Sequence, residues 1–164
     1  MLIIKFICVI IICFSSWILG KMYAETLKNK ICMVEKYIIL LKEIKSNISY
    51  SGKNLYDFLG VKSYDKTNRF CTFLLQNKEK GLEKAVQTYS PINEEEKFCV
   101  ESMFEAFAFL ENSSDTESIS DMISCTTDKL TEYKKQLGEE YKGKIKTSPP
   151  IFLLCGLFIA LVLI

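Results

Sequence analysis

Both ends of the sequence are strongly apolar, and this restricts what the chain can form. Residues 2–20 read LIIKFICVIIICFSSWILG, with Lys5 as the one charged side chain. Residues 149–164 read PPIFLLCGLFIALVLI and carry no charged side chain. At about 1.5 Å per residue, the first segment approaches the roughly 30 Å hydrocarbon layer of a bilayer and the second falls somewhat short. A domain this small could hardly cover such helices on every face, so we expect a membrane segment at each end.

A secretory signal peptide is the main alternative for the first segment, because Lys5 followed by an apolar run resembles its beginning. Signal peptides end in small residues at the cleavage site, whereas the stretch from Trp17 to Tyr23 offers no convincing small-x-small pair. We therefore expect an uncleaved anchor. A secreted helical protein cleaved beyond Gly20 is kept as an alternative.

Lysines flank both apolar segments on the side that faces the middle of the chain. Only Lys5 lies on the outer side. Because cytoplasmic flanks carry the excess of positive charge, we expect the middle region in the cytoplasm and both termini across the membrane. The predicted organisation is an N-terminal transmembrane anchor (1–20), a cytoplasmic helical domain (21–148) and a C-terminal transmembrane segment (149–164). The flanking lysines are Lys21, Lys28, Lys30, Lys134, Lys135, Lys142, Lys144 and Lys146.

The middle region is predicted to be helical, since the sequence has only seven Gly and three Pro. Apolar residues recur at alternating spacings of four and three from Leu27 to Ile48 and again from Ile119 to Tyr141. Shorter apolar clusters lie between residues 55 and 110, and Asp115 is placed to cap the last helix. The predicted fold is all-α: an antiparallel hairpin of two long helices with a small helical bundle. Two ordinary surface helices on a globule fit the same pattern.

The sequence contains no arrangement typical of an enzyme. It has no His, and it has no GxxxxGK[ST], GxGxxG, GxSxG or HExxH motif. The 21 Lys and Arg nearly balance the 20 Asp and Glu, so nothing indicates a nucleic-acid partner. We expect no catalytic activity, cofactor, metal or small-molecule substrate. We expect instead a non-catalytic docking part of a larger membrane assembly.

Seven Cys without CxxC spacing argue against a zinc site and are expected to be small buried residues in a reducing compartment. They also motivate an alternative function, a membrane-anchored thiol redox or regulatory protein. Such a protein needs at least one accessible, reactive thiolate.

Partner docking has one candidate surface, the run Glu94, Glu95 and Glu96. It lies among the shorter helices, which the hairpin arrangement places farthest from the bilayer. A solvent-facing start of a helix explains three glutamates after Pro91 equally well.

Two stretches carry a family resemblance. In the first, residues 41–50 read LKEIKSNISY and Leu55 follows. Leu41, Ile44, Ile48, Tyr50 and Leu55 fit the pattern L-x-x-L-E-x-E-I-x-Y, then L, of the stage III sporulation protein AB family of spore-forming Firmicutes. Near the other end, a lysine-rich helix from Tyr141 to Lys146 leads into Cys155, Gly156 and Leu157. The chain resembles this family in layout over nearly its full length.

The sequence departs from the family pattern at several positions. Lys45 and Asn47 stand where acidic residues are usual, and Glu117 stands for an Asp. Ser113-Ser114 and Pro149-Pro150 each replace a Leu-Gly pair. The sequence, rich in Lys, Ile and Asn, therefore resembles a divergent, clostridial-type member.

The resemblance implies a role in the mother cell during endospore formation. It places the protein in the outer forespore membrane, within the membrane complex that connects the mother cell to the forespore. The implied partners are other stage III sporulation membrane proteins and a cytoplasmic ATPase. The family's cytoplasmic domain is similar to the inner-membrane platform proteins of type II secretion and type IV pilus systems, which implies that the protein couples the ATPase to the channel.

Overall fold

The computed structural model describes residues 2–51, 55–63, 69–112 and 115–163. These residues form helices and no strand, which confirms the all-α prediction. The predicted hairpin and its helical bundle stay predictions. The elements are α1 (Leu2–Ser51), α2 (Leu55–Ser63), α3 (Arg69–Gln76), a 3-10 turn (Lys78–Lys80), α4 (Leu82–Thr88), α5 (Glu94–Asn112) and α6 (Thr116–Leu163).

Packing divides the chain into two compact units. Unit 1 comprises Met1–Cys32 and Lys135–Ile164, and unit 2 comprises Met33–Lys134. These divisions differ from the predicted boundaries at residues 20 and 148, because the units follow packing whereas the predicted boundaries mark a membrane surface. The membrane boundaries remain predictions.

The helix α6 continues through Pro149 and Pro150, where the sequence placed the start of a separate segment. Each proline lacks the N–H that would bond a carbonyl one turn earlier, and its ring crowds that carbonyl. Just before the prolines, two hydroxyls bond the backbone of the preceding turn: Thr147 Oγ1 donates to the Gly143 carbonyl at 2.9 Å, and Ser148 Oγ donates to the Lys144 carbonyl. The stretches before and after the prolines form one helix.

In unit 1, α1 and α6 approach each other at glycines. A Cβ added to Gly20 would lie 2.8 Å from the Cα of Pro149, and one added to Gly156 would lie 2.5 Å from Ser16 Oγ. Moving from Gly20 back to Ser16 on α1 corresponds to moving forward on α6, so the two stretches run antiparallel. Close contact through small residues at four-residue spacing is the usual way for membrane helices to pair. Ala24 and Ala160, four residues beyond Gly20 and Gly156, are also buried.

The two apolar end segments of unit 1 expose many apolar side chains. Phe6, Phe14, Phe158 and Leu161 are between 59% and 73% exposed. Two helices, α1 and α6, contain a stretch long and apolar enough to cross a membrane. Water disfavours so much apolar surface, so these helices suggest association with a membrane.

Unit 2 is built around an aromatic core. The Phe70 ring of α3 is 1% exposed, and its centroid lies 5.6 Å from that of Tyr37, 5.1 Å from that of Tyr89 and 6.1 Å from that of Phe107. Such edge-on and tilted pairs are favourable beyond the area they bury. Helices α1, α3 and α5 and the segment after α4 therefore share one core.

Within unit 2, α1 and α6 are linked by polar contacts. The Lys134 Nζ lies 3.0 Å from Glu35 Oε1, and Lys45 Nζ lies 2.5 Å from Ser124 Oγ. The later residue of α1 meets the earlier residue of α6, so these stretches also run antiparallel. Residues of the two predicted apolar seams in this unit, including Ile38, Leu41 and Leu130, are buried as expected, and so is Leu137 in unit 1.

The start of α6 confirms the predicted cap. The two carboxylate oxygens of Asp115 accept hydrogen bonds from the backbone N–H groups of Glu117 and Ser118, each at 3.2 Å. These bonds, with one from the Ser118 hydroxyl, hold the pKa of Asp115 below its usual value. Ser113 and Ser114 of the predicted polar loop lie outside the described residues.

Candidate functional site

The run Glu94 to Glu96 opens α5, and its last member bonds the two residues before the helix. The side chain of Asn93 accepts a hydrogen bond from Glu96 N–H at 2.8 Å, while Glu96 Oε2 accepts one from Ile92 N–H at 2.6 Å. The first bond caps a backbone donor that a helix start leaves free, and negative charge there complements the helix dipole. This explains locally why the sequence has acids at this position.

Glu96 also holds the core together. Its Oε1 accepts hydrogen bonds from Tyr37 OH at 2.9 Å and from Tyr89 OH at 2.8 Å, and the residue is 5% exposed. Burial, together with the Glu96 carboxylate, raises the pKa of Tyr37 above its usual range and that of Tyr89 to about 12. Both phenols therefore remain donors at neutral pH. The carboxylate joins α1, α5 and the segment between α4 and α5.

Burial corrects the expectation that the three glutamates form one exposed run. Glu95 is 4% and Glu96 5% exposed, whereas the Glu94 side chain is 89% exposed. The reason is helical periodicity, since Glu95 lies on the same side of α5 as the buried Cys99 and Ala106. Only Glu94 has the exposure that a docking residue needs, and its docking role stays a prediction.

A different acidic surface lies on α5, and the sequence analysis missed it. Glu94, Glu101 and Glu105 are exposed and spaced by seven and four residues, which places them on one side of the helix. Lys97 lies between them, with its Nζ 3.9 Å from Glu94 Oε2. We call Glu94, Glu101 and Glu105 the α5 outer face. Reading α5 at helical spacing, rather than as consecutive acids, would have identified it.

The residues that carry the family pattern are packing residues where the structure describes them. Leu41 and Ile44 are at most 1% exposed, and Ile48 is half-buried. Gly156 is the site of close approach to Ser16. The side chains of Tyr50 and Leu55 lie outside the described residues.

The thiols divide into two groups. Cys71 and Cys99 are fully buried as expected. The expectation of burial is wrong for the other five: Cys13 is half-buried, and Cys8, Cys32, Cys125 and Cys155 are exposed. Burial and the carboxylates of Glu96 and Glu95 raise the pKa of Cys99 to about 12, which disfavours its thiolate. Among the described residues, no group of three His, Cys, Asp or Glu could hold a metal ion. The exposed Cys32 and Cys125 have the accessibility that the alternative, a thiol redox protein, requires, and whether either forms a reactive thiolate stays a prediction.

Comparison with curated proteins and with solved structures gives no significant match. The family described as stage III sporulation protein AB matches residues 5–164, almost the entire chain. This agrees with the resemblance noted from residues 41–50 and from the end of the sequence. The family indicates a stage III sporulation protein that works with other stage III sporulation proteins. The chain belongs to the stage III sporulation protein AB family.

Proposed function

We propose that the protein is a non-catalytic membrane scaffold of the sporulation channel complex between mother cell and forespore, and that it docks a cytoplasmic ATPase to this complex. The family match supports the sporulation role. The observation that carries the scaffold role is the close pairing of the two apolar segments in unit 1. A chain inserted in the bilayer through both segments holds the residues between them at the membrane surface.

The charge pattern supports this topology. The apolar stretch of α1 ends at Gly20, directly before Lys21, and the apolar stretch of α6 begins at Pro149, three residues after Lys146. Gly20 and Pro149 are in contact, so the change from apolar to charged sequence occurs at the same level on both helices. Under the positive-inside rule, residues 21–148 lie in the cytoplasm of the mother cell and the paired segments lie in its outer forespore membrane.

The proposed architecture is a long-helix hairpin that carries a helical bundle. The antiparallel contacts Glu35–Lys134 and Lys45–Ser124 in unit 2, and Gly20–Pro149 in unit 1, support it. The family's similarity to the platform proteins of type II secretion and type IV pilus systems supports a coupling role by analogy. In this role the protein transmits the work of an ATPase and hydrolyses nothing itself.

The docking surface is proposed to be the α5 outer face. Its three exposed carboxylates would meet a basic surface of the ATPase, and complementary charge of this kind governs association rate and partner choice. Charge reversal adds repulsion that truncation does not, so it is the stronger test of docking. Glu95 and Glu96 are excluded from this surface by their burial.

The test replaces Glu94, Glu101 and Glu105 with lysines in a spore-forming host. We expect normal protein level and membrane insertion, reduced recovery of the ATPase in a pull-down from sporulating cells, and a fall in spore count. The matched control reverses Asp121, Asp128 and Glu132, which are exposed on α6 with the same spacing of seven and four. An equal loss with both triple variants, or unchanged ATPase recovery with the first, would reject this surface. Normal sporulation after deletion of the gene would reject the scaffold role.

A further inference from the structure

A group of exposed lysines surrounds the level at which the apolar parts of unit 1 end. Four exposed lysines belong to this group, Lys21 and Lys28 on α1 and Lys142 and Lys146 on α6. On each helix the two share one side, because seven or four residues separate them. We call these four residues the lysine collar.

The antiparallel pairing fixes how far each lysine lies from this level. With Gly20 opposite Pro149, Lys21 and Lys146 are one and three residues away, or about 2 to 5 Å at 1.5 Å per residue. Lys142 and Lys28 are seven and eight residues away, or about 10 to 12 Å. A headgroup layer is about 5 to 7 Å thick, and charges act over roughly a further 8 to 10 Å at physiological salt. All four ammonium groups are therefore within reach of lipid phosphates.

Nearby carboxylates do not cancel this charge. Residues 21–30 hold three lysines and one glutamate, and residues 139–146 hold three lysines and two glutamates. One of those glutamates, Glu140, is already engaged, since its Oε1 lies 2.7 Å from the Nζ of Lys144. Within the described part of the chain, none of the four collar lysines forms an ion pair with a carboxylate.

Aromatic side chains place the headgroup layer at the same level. Trp17 is 37% exposed, and the Lys21 ammonium lies 4.1 Å from the centroid of its ring. Tyr23 is 45% exposed, and its ring lies 6.1 Å from that of Phe152. Trp and Tyr concentrate at membrane interfaces, where the ring is apolar and one end reaches water. The exposed lysines and the aromatic residues, two independent features, therefore indicate the same level for the membrane surface.

We propose that the lysine collar binds the headgroups of anionic phospholipids of the phosphatidylglycerol class and selects them over zwitterionic lipids. Clusters of basic residues directly beside membrane helices recognise anionic lipid in this way. This inference rests on the proposed insertion of both segments in the membrane. It adds that the anchor pair gathers anionic lipid around itself.

Trp17 makes the proposal measurable, because it is the only Trp in the sequence. The full-length protein is reconstituted in mixed vesicles in which either the phosphatidylglycerol or the phosphatidylcholine is brominated, and quenching of Trp17 fluorescence is compared. One lysine near an anionic membrane surface strengthens binding to that surface by about five-fold. We expect wild-type protein to prefer the anionic lipid several-fold and to lose much of this preference in 0.5 M salt, on the order of the screening expected for exposed charges.

Substitutions then assign the preference to the collar. The double change Lys142→Gln and Lys146→Gln should reduce the preference several-fold, while Lys142→Arg with Lys146→Arg should retain it. The matched control is Lys80→Gln with Lys84→Gln, an exposed pair of the same spacing in unit 2, which should leave the preference unchanged. Circular dichroism verifies that each variant keeps its helical content.

The outcomes separate the two proposals. Equal quenching by both brominated lipids in the wild-type protein would overturn lipid selection while leaving membrane insertion intact. An unchanged preference in the Gln pair from the collar would also overturn it. Absence of quenching by either lipid would contradict insertion, and with it both the lipid inference and the proposed scaffold.

Discussion

Gly20 lies so close to Pro149 that a Cβ on the glycine would stand 2.8 Å from the proline Cα. The contact joins two places at which the sequence changes from apolar to charged, one on each long helix. Nothing in the local sequence around either residue specifies the other. The contact therefore places the two predicted membrane boundaries, after residue 20 and before residue 149, at the same level in unit 1.

The glycine contacts predict that replacement by leucine changes the stability differently at two glycines of α6. Gly156→Leu forces a side chain into Ser16, and overpacking of this kind costs about 1 to 3 kcal/mol. A Cβ added to Gly138 meets no atom within 4 Å, so Gly138→Leu should gain helix propensity of up to about 1 kcal/mol. We expect the melting temperature of the full-length protein in detergent to fall by several degrees in the first variant and to hold or rise in the second. Similar values for both would contradict the close approach.

The burial of Glu96 predicts that charge reversal destabilises the protein strongly at Glu96 and only slightly at Glu94. Glu96→Lys places an ammonium in the core and leaves the Tyr37 and Tyr89 hydroxyls without their acceptor. An unpaired buried charge costs about 3 to 5 kcal/mol, a large part of the stability of a small domain. Glu94→Lys changes an exposed side chain and should cost little. Urea unfolding followed by circular dichroism measures both, and equal midpoints would show that Glu96 does not hold the core.

The raised pKa of Tyr89 predicts how stability varies at high pH. The pKa of a free tyrosine phenol is about 10 and that of Tyr89 in the folded protein is about 12, so folding favours the neutral form. The corresponding part of the free energy of unfolding is fully present below about pH 10 and is lost as the pH rises through about 12. We expect the Tyr89→Phe variant to show a flatter decline of stability between about pH 9 and 12 than the wild-type protein. Parallel declines would mean that the phenol titrates alike in both states.

The sequence predicted the helical class, the buried seam positions and the Asp115 cap because each depends on local propensity or on the 3.6-residue repeat. Ile38, Leu41 and Leu130 are buried for this reason. The run Glu94 to Glu96 shows where such reasoning fails. Three consecutive acids look alike in sequence, yet only their rotation about α5 decides which one meets Tyr37 and Tyr89.

Pro149 and Pro150 predicted a boundary because proline disfavours a helix interior, but α6 continues through them. Burial depends on contacts between residues far apart in the chain. Cys71 and Cys125 carry the same side chain, and only tertiary packing makes one buried and the other exposed. The helical spacing of Glu94, Glu101 and Glu105 can be read from the sequence, whereas their exposure depends on which side of α5 is packed.

Two neighbouring aliphatic residues of α1, Ile39 and Leu41, should differ strongly in how much their truncation to alanine destabilises the protein. Leu41 is 1% exposed, whereas Ile39 is 49% exposed. Truncating a buried leucine to alanine costs about 2 to 5 kcal/mol through lost contacts and the cavity left behind. We expect Leu41→Ala to lower the melting temperature by at least several degrees, and Ile39→Ala to change it by less than about 2 °C. Equal shifts would mean that the seam is misassigned.

Topology can be tested with a cysteine that the fold leaves accessible. Cys71 and Cys99 are 0% exposed, so they should resist a thiol reagent on either side of the membrane and report nothing about orientation. Cys125 is exposed on α6, in the region proposed to be cytoplasmic. In a variant in which the other accessible thiols, Cys8, Cys13, Cys32 and Cys155, are replaced by alanine, we expect a membrane-impermeant maleimide to label Cys125 only after the cells are permeabilised. Adding Cys125→Ala to this variant should remove that signal. Labelling of Cys125 in intact cells would reverse the orientation and place the α5 outer face on the wrong side for an ATPase.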